Sequence, residues 1–114
     1  MIMKGYDREE AIRFISARIH PQDHPELREL LPGLIGDIID ADMAYMEESG
    51  VMDAEGNAGT AYYEDDDAFE YMVEKIAASR KLDPEQAVKL ASLIDDYMDY
   101  QQEYMESRGL LQWV

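Results

Sequence analysis

The sequence predicts an all-α fold, a compact bundle of four or five helices packed around a long C-terminal helix at about residues 84–108. Three observations support this prediction. Apolar residues recur at helical spacing along most of the chain, capping patterns stand at Asp7 and Asp83, and glycine or proline occurs where the periodicity stops. With 114 residues, 46% of them apolar, the chain has enough material for one packed core.

The first predicted helix begins at Asp7, which forms a capping-box pattern with Glu10. The isoleucines that follow share one face of this helix. Pro21 is expected to end it, because proline disfavours helical geometry in the residue before it. A short second helix is predicted from Pro25 to the residue before Pro32.

Two histidines flank the turn between these helices. His20 and His24 are four residues apart, a spacing that would suit a metal ion if both lay on one helix face. Pro21 breaks that face. We therefore interpret both histidines as solvated or capping side chains.

The next helix, from about Leu34 to Glu48, has a strong apolar periodicity with Asp42 at the middle of the apolar face. Gly50 is expected to end it in the left-handed conformation. Burying an ionised carboxylate without a partner is costly, so Asp42 requires a hydrogen-bond donor, a cation or a raised pKa. Tyrosine hydroxyls of the last helix, arginines of the first helix and backbone amides are the structural alternatives. A metal ligand and a functional acid are the others.

Residues 51–63 contain turn-forming glycines and no helical periodicity, so we predict a loop. One short β-hairpin is an option within it, with Val51 and Met52 paired to residues 61–63. The aspartates at 65–67 are expected to cap the next helix and to stabilise the positive end of its dipole. That helix is predicted to end near Arg80.

The last helix is the most clearly marked element. Asp83 and Gln86 form a second capping box, and Gly109 provides a stop after residues 84–108. Its apolar face is wide enough to contact more than one neighbour, so the other helices are expected to pack around it. The apolar C-terminal tail, residues 109–114, is expected to dock on the domain or on another chain.

Charge is concentrated in the middle of what we predict to be a single helical domain, residues 1–114. The net charge is −16, and the acidic segment, residues 34–74, has thirteen Asp and Glu but no Lys or Arg. Such a surface repels nucleic-acid backbones and anionic lipid headgroups, which argues against direct binding to either. Basic proteins and divalent cations are the expected partners.

The chain contains no cysteine, which excludes disulfides and thiolate metal sites. No apolar signal core and no stretch long enough to span a membrane is visible. We therefore expect a soluble, cytoplasmic protein.

The loop also offers a partial calcium site. Its candidate ligands fall at positions one, three, five and twelve of the segment 53–64, and they are Asp53, Glu55, Asn57 and Glu64. With a predicted helix on each side, the segment resembles an EF-hand, although Ala58 occupies the position where that motif needs glycine. Bound Ca²⁺ is the one cofactor that the sequence suggests. A solvated acidic loop is the alternative.

Catalytic motifs are scarce, since the chain has no Gly-rich phosphate loop, no serine elbow and no His-Glu-x-x-His. We expect no enzyme, and predict a small acidic interaction or regulatory module that binds a basic protein partner. A homodimer is an option. Its interaction face would comprise Tyr97, Tyr100, Tyr104, Met105, Leu110, Leu111 and Trp113. The tyrosine and methionine side chains also suit a core. The alternative function is a Ca²⁺-binding protein that uses the loop 53–64.

Overall fold

The computed structural model of the protein describes residues 3–110 and confirms the all-α prediction for that part of the chain. Four α-helices carry the fold, and they are α1 (Arg8–Arg18), α2 (Leu31–Ser49), α3 (Asp65–Arg80) and α4 (Pro84–Ser107). Two short 3₁₀ helices, Pro21–Asp23 and Pro25–Leu30, connect α1 to α2. No helix in this described range is both long and apolar enough to cross a membrane.

The four α-helices form a ring in which each packs against two neighbours. Both α1 and α3 contact α2 and α4, so α2 and α4 lie diagonally across the core from each other. The 24 residues of α4 span about 36 Å at about 1.5 Å per residue, close to the longest dimension of the described chain, 37 Å. Side chains that join α2 to α4 must therefore cross the middle of the core.

The core is built from the apolar faces that the sequence periodicity indicates. Ile35, Ile38 and Ile39 of α2 are fully buried, and Leu93 and Ile94 of α4 are fully buried opposite them. Burying one such side chain stabilises a fold by about 1.5–3 kcal/mol relative to leaving it exposed. The central parts of α2 and α4 therefore contribute strongly to the stability of the bundle.

The two predicted capping boxes differ in the structure. Asp83 accepts from the Gln86 backbone N–H at 2.8 Å, and the Gln86 side chain accepts from the Asp83 N–H at 3.0 Å, so this box is complete. Asp7 accepts from the Glu10 N–H at 3.0 Å. The Glu10 carboxylate accepts from Arg108 at 3.0 Å instead of from the Asp7 backbone, so only half of the first box forms.

The first residues of α3 do not cap it with a side chain. Glu64 is the residue before the helix, and its side chain makes no capping hydrogen bond. Asp65, Asp66 and Asp67 lie inside the first turn, so their prediction as caps is wrong. Their charges do lie at the positive end of the helix dipole, as expected.

One proline acts differently from the prediction. The segment opened by Pro25 is a 3₁₀ helix, and Pro32, predicted to follow its end, lies in the first turn of α2. Proline is tolerated there because the first N–H groups of a helix have no intrahelical partner. The other end of α2 agrees with the prediction, since Gly50 ends the helix with φ +84°.

His24 is buried, whereas His20 is exposed. His24 is 4% exposed, and its Nε2 lies 2.7 Å from Asp96 Oδ2 of α4. The interpretation of His24 as solvated or capping is therefore wrong. The 3₁₀ helix Pro21–Asp23 places His24 against α4. Helical periodicity does not predict this position, because His24 lies outside the α-helices.

Residues 51–63 form a compact loop, and the hairpin option reduces to one isolated bridge. That bridge joins Met52 to Ala58 in the antiparallel sense. The predicted pairing of Val51 and Met52 with residues 61–63 is therefore wrong. The turn closes earlier in the chain than predicted, so Ala58 pairs with Met52 in place of a residue from 61–63.

Gly59 allows this loop to pack on the end of α2. Its N–H donates to Val51 O at 2.8 Å, which draws the two backbones together. A Cβ atom at Gly59 would lie 2.1 Å from Gly50 O, too close for any contact between heavy atoms that are not bonded. The position therefore requires glycine because of close backbone approach.

Gly59→Ala should destabilise the protein by roughly 1–3 kcal/mol, because the loop backbone must move away from α2 to admit the methyl group. Gly33→Ala is the matched control. The nearest atom to a Cβ at Gly33, in the first turn of α2, is 3.7 Å away, and alanine favours a helix more than glycine does. Urea unfolding should show a loss only for Gly59→Ala. Equal stabilities of the two variants would contradict the loop geometry.

Candidate functional site

Asp42 lies in the middle of α2 and is only 2% exposed. Two tyrosine hydroxyls donate to its carboxylate, Tyr63 to Oδ1 and Tyr97 to Oδ2, each at 2.7 Å. Tyr97 belongs to α4, and Tyr63 belongs to the end of the loop before α3. One carboxylate therefore joins three segments of the chain. The sequence leaves several possible partners for the Asp42 carboxylate, and a tyrosine of the last helix is one of those present in the structure.

Gln101 lies one turn along α4 from Tyr97 and takes part in a second buried hydrogen bond. It is 5% exposed, and its Oε1 accepts from the Tyr6 hydroxyl at 2.7 Å. Its Nε2 is buried and has no acceptor in hydrogen-bonding geometry among the described residues. Tyr6 precedes α1, so this pair joins the N-terminal segment to α4, next to the three segments that meet at Asp42.

Burial is the dominant electrostatic effect at Asp42. It raises the pKa of Asp42 above its usual range, while the two tyrosine hydroxyls and the nearby Gln101 amide favour the charged form and offset part of that rise. Burial also raises the pKa values of Tyr63 and Tyr97, and the charge of Asp42 raises them further. Both hydroxyls therefore stay protonated at neutral pH and can donate.

A cavity of about 390 Å³ opens beside this carboxylate, and we refer to it as the Asp42 cavity. Asp42 lies at its buried end, while Asp65 of α3 and Asp99 of α4 also line it and are exposed. Its lining, taken from the described residues, contains no lysine, arginine or histidine. The volume falls within the range of roughly 300–1,000 Å³ that is typical of small-molecule sites. Such a cavity can attract a cationic group.

Apolar and amide groups form the rest of the lining. Met46, Met98 and Met105 contribute thioether side chains, and Gln102 contributes a second amide beside Gln101. Methionine side chains are flexible and polarisable, so they adapt to ligands of different shapes. The cavity can therefore accommodate the aliphatic part of a small molecule as well as its polar groups.

Carboxylates also gather at one end of the bundle, where α2 ends, the loop folds back and α3 begins. We refer to this surface as the acidic end, and its members are Glu47, Glu48, Asp53, Glu55, Glu64, Asp65, Asp66 and Asp67. Tyr71 of α3 donates to Glu48 of α2, and the Tyr45 hydroxyl of α2 donates to Glu64 O at 3.4 Å. Among residues 3–110, no ion pair of 4.0 Å or less involves these carboxylates.

The candidate calcium ligands of the loop are Asp53, Glu55, Asn57 and Glu64. Asp53 Oδ1 accepts from the backbone N–H groups of Glu55 and Asn57, both at 2.9 Å, so it closes the loop on itself. Within the described range, no three His, Asp or Glu side chains are grouped so that they could hold a metal ion. Calcium binding at this loop stays a prediction.

Most of the predicted interaction face lies inside the bundle. Four of its side chains are 7% exposed or less, and they are Tyr97, Tyr104, Met105 and Leu110. These side chains fill the core between α4 and its neighbours, so of the two alternatives for the tyrosine and methionine side chains, an interaction face and a core, the structure contains the core. Tyr100 is partly buried, and Leu111 and Trp113 lie outside the described residues. Self-association stays a prediction without an assigned face.

Sequence reasoning identified Asp42 but missed the buried hydrogen bonds of Tyr63, Gln101 and Tyr6. Gln101 carries a usable signal, since it lies about 20° from Leu90 on the helical wheel of α4, near the centre of the apolar face. A polar side chain there needs a buried partner, as Asp42 does. Tyr63 and Tyr6 lie outside the helices, where periodicity does not indicate the direction of a side chain.

The chain matches no protein-family model, and neither a curated protein nor a solved structure shows significant similarity to it. Functional inference for this protein therefore depends on the Asp42 cavity and the acidic end. Both are anionic, but one is a partly enclosed site and the other is an open surface.

Tyr97→Phe should destabilise the protein by roughly 1.5–3 kcal/mol at neutral pH, because it removes a buried hydrogen bond to a charged group without changing the packing volume. Tyr100→Phe is the matched control on the same helix, since the Tyr100 hydroxyl makes no hydrogen bond among the described residues. Urea unfolding compares the two variants with the unmodified protein. Equal stability of all three would contradict the assigned role of Tyr97.

Asp42→Asn should change how stability depends on pH. Burial raises the pKa of Asp42 in the folded state, so the folded protein holds this proton more tightly than the unfolded chain, whose reference pKa is 3.8. The resulting stabilisation is complete below the unfolded-state pKa and is lost as the pH rises through the folded-state pKa. The unmodified protein should therefore gain stability relative to Asp42→Asn on acidification from neutral pH. Urea unfolding at a series of pH values measures the difference in stability between the two proteins. If the pKa of the buried Asp42 were ordinary, this difference would not change with pH.

Proposed function

We propose that this protein is a small non-enzymatic interaction module that binds a basic protein partner through the acidic end. The observation that carries the proposal is the group of eight carboxylates there, which form no ion pair of 4.0 Å or less among the described residues. Like charges held close together repel one another. A partner that carries Lys or Arg would relieve this repulsion on binding, and the field would accelerate its association.

The use of basic residues elsewhere in the chain supports this proposal. In the first half of α2, Asp37 pairs with Arg80 at 2.7 Å and Asp40 pairs with Arg8 at 2.9 Å. Both of these carboxylates belong to the acidic segment, residues 34–74, but both lie away from the acidic end. The ion pairs of the described chain thus neutralise the sides of the helices and leave the acidic end available to a partner.

The backbone of the acidic end is tied down on both sides. The Lys4 N–H donates to Gly56 O at 2.9 Å, which joins the loop to the N-terminal segment. The Asp53 N–H donates to Asn57 O at 2.9 Å across the turn. A surface that is already ordered loses less conformational entropy on binding. The carboxylates of the loop are therefore presented to a partner at low entropic cost.

Neutralising four carboxylates of the acidic end should weaken binding of a decalysine peptide by roughly tenfold at low salt, if each exposed pair contributes a few tenths of a kcal/mol. The substitutions are Glu64→Gln, Asp65→Asn, Asp66→Asn and Asp67→Asn. Fluorescence anisotropy of the labelled peptide measures the affinity. Raising the salt concentration should reduce binding of the unmodified protein, because exposed charges are screened.

The control variant neutralises four exposed carboxylates outside the acidic end, with Asp23→Asn, Glu29→Gln, Glu85→Gln and Asp95→Asn. Both variants have the same net charge, so long-range attraction to the peptide is equal. The control should bind the peptide nearly as well as the unmodified protein. Equal losses in the two variants would mean that net charge alone drives binding, and would refute the assignment to the acidic end.

A further inference from the structure

The end of α4 places the start of the C-terminal tail next to the Asp42 cavity. Gly109 has φ +72° and its N–H donates to Glu106 O at 3.1 Å, while the Leu110 N–H donates to Met105 O at 2.8 Å. These two hydrogen bonds form a Schellman motif, which turns the chain off the helix and brings the residue after the glycine back against the last turn. Met105 lines the cavity, and Leu110 is 7% exposed. The backbone is therefore held as far as Leu110, beside one wall of the cavity.

The tail is long enough to reach this cavity. Four residues follow Leu110 in the sequence, and they include Trp113, the one tryptophan of the chain. A residue spans at most about 3.6 Å along an extended chain, so Trp113, three residues on, can lie up to about 11 Å from Leu110. A second cavity, of about 200 Å³, lies between the 3₁₀ helix Pro25–Leu30 and the start of α4. It is out of reach, because the 24 residues of α4 span about 36 Å.

The lining of the Asp42 cavity suits an indole side chain. Its apolar wall consists of three side chains that we call the cavity methionines, Met46, Met98 and Met105. Contacts between a thioether sulfur and an aromatic ring are favourable, and flexible methionine chains adapt to the shape of the ring. Burying a tryptophan side chain removes about 150–250 Å² of mostly apolar surface from water.

The polar groups of the lining also match an indole. Asp65 and Asp99 line the exposed part of the cavity and can accept hydrogen bonds. The indole N–H is a donor without acceptor capacity, and the edge of the ring carries partial positive charge. Trp113 therefore brings the cavity a donor and an apolar surface, without the negative charge that these carboxylates would repel.

We propose that Trp113 of the C-terminal tail occupies the Asp42 cavity of its own chain. The ring lies against the cavity methionines, and its N–H is directed to a carboxylate at the exposed side of the cavity. This contact adds the tail to the segments that meet near Asp42, and it closes the cavity to small molecules. It is independent of the basic protein partner proposed for the acidic end.

The fluorescence of Trp113 reports its own surroundings, because the chain has no second tryptophan. Emission of the folded protein should lie at shorter wavelengths than emission of the urea-unfolded protein, and acrylamide should quench it weakly. Neither property should change on dilution, because the contact forms within one chain. Folded-state emission equal to that of the unfolded chain would overturn the proposal. A shift to longer wavelengths on dilution would assign the tail to a second copy and would overturn it as well.

Nuclear magnetic resonance of isotope-labelled methionine methyl groups locates the ring, because an aromatic ring shifts the signals of methyl groups that it contacts. Trp113→Ala should shift the signals of the cavity methionines but not those of Met52 and Met72, which do not line the cavity. Gln112→Ala is the matched control in the same tail and should leave all of these signals in place. Unchanged signals of the cavity methionines in Trp113→Ala would overturn the proposal.

A pair of substitutions on α4 tests the apolar wall. Met98→Gln replaces a partly buried thioether with an amide, so Trp113 emission should move towards that of the unfolded chain and acrylamide quenching should increase. Val88→Gln makes a similar change at a residue that is 69% exposed and does not line the cavity, so it should have no effect. Equal emission from the two variants would overturn the site. If Met98→Gln does not fold, the methionine signals of Trp113→Ala decide the matter, since that variant leaves the lining intact.

Discussion

The carboxylate of Asp42 lies in the buried middle part of α2, so other segments of the chain must place hydrogen-bond donors next to it. An ionised carboxylate without partners costs several kcal/mol in a protein interior. Asp42 receives two short hydrogen bonds, from Tyr63 and Tyr97. Because α2 and α4 lie diagonally across the bundle, the long side chain of Tyr97 reaches Asp42 across the core. The packing of α4 and the path of the loop before α3 both depend on this contact.

The cavity lies beside Asp42, where several polar side chains meet. Polar groups assembled around one buried carboxylate cannot all be covered by close-packed apolar side chains. Gln101, which approaches Asp42 from α4, satisfies Tyr6 with its oxygen but leaves its nitrogen without an acceptor.

The acidic residues are divided between structural and exposed roles. Arg8 joins α1 to α2 through two hydrogen bonds to Asp40, each of 2.9 Å, and a Cβ at Gly36 would lie 2.9 Å from the Arg8 guanidinium. Glycine at that position therefore gives the arginine space on α2. Arg80 joins α3 to α2 through Asp37. Exposed ion pairs contribute at most about 1 kcal/mol each, so they orient the helices more than they stabilise them. The acidic end has no comparable structural pairing among the described residues.

The sequence by itself determined the helical class, the extent of α4 and the burial of Asp42. These properties follow from local rules, since capping at Asp83, the stop at Gly109 and the angular position of Asp42 all depend on neighbours within a few turns. The same rules indicate that Gln101 faces the core, although its partner cannot be read from them.

Only the tertiary structure decided which surfaces meet. The tyrosine and methionine side chains of α4 are core because α1, α2 and α3 close over them, and periodicity alone does not distinguish a core face from an interface. The donors of Asp42 come from segments 21 and 55 residues away in the chain. Contacts over such separations depend on the packing of whole helices, and so the Asp42 cavity exists only in the folded chain.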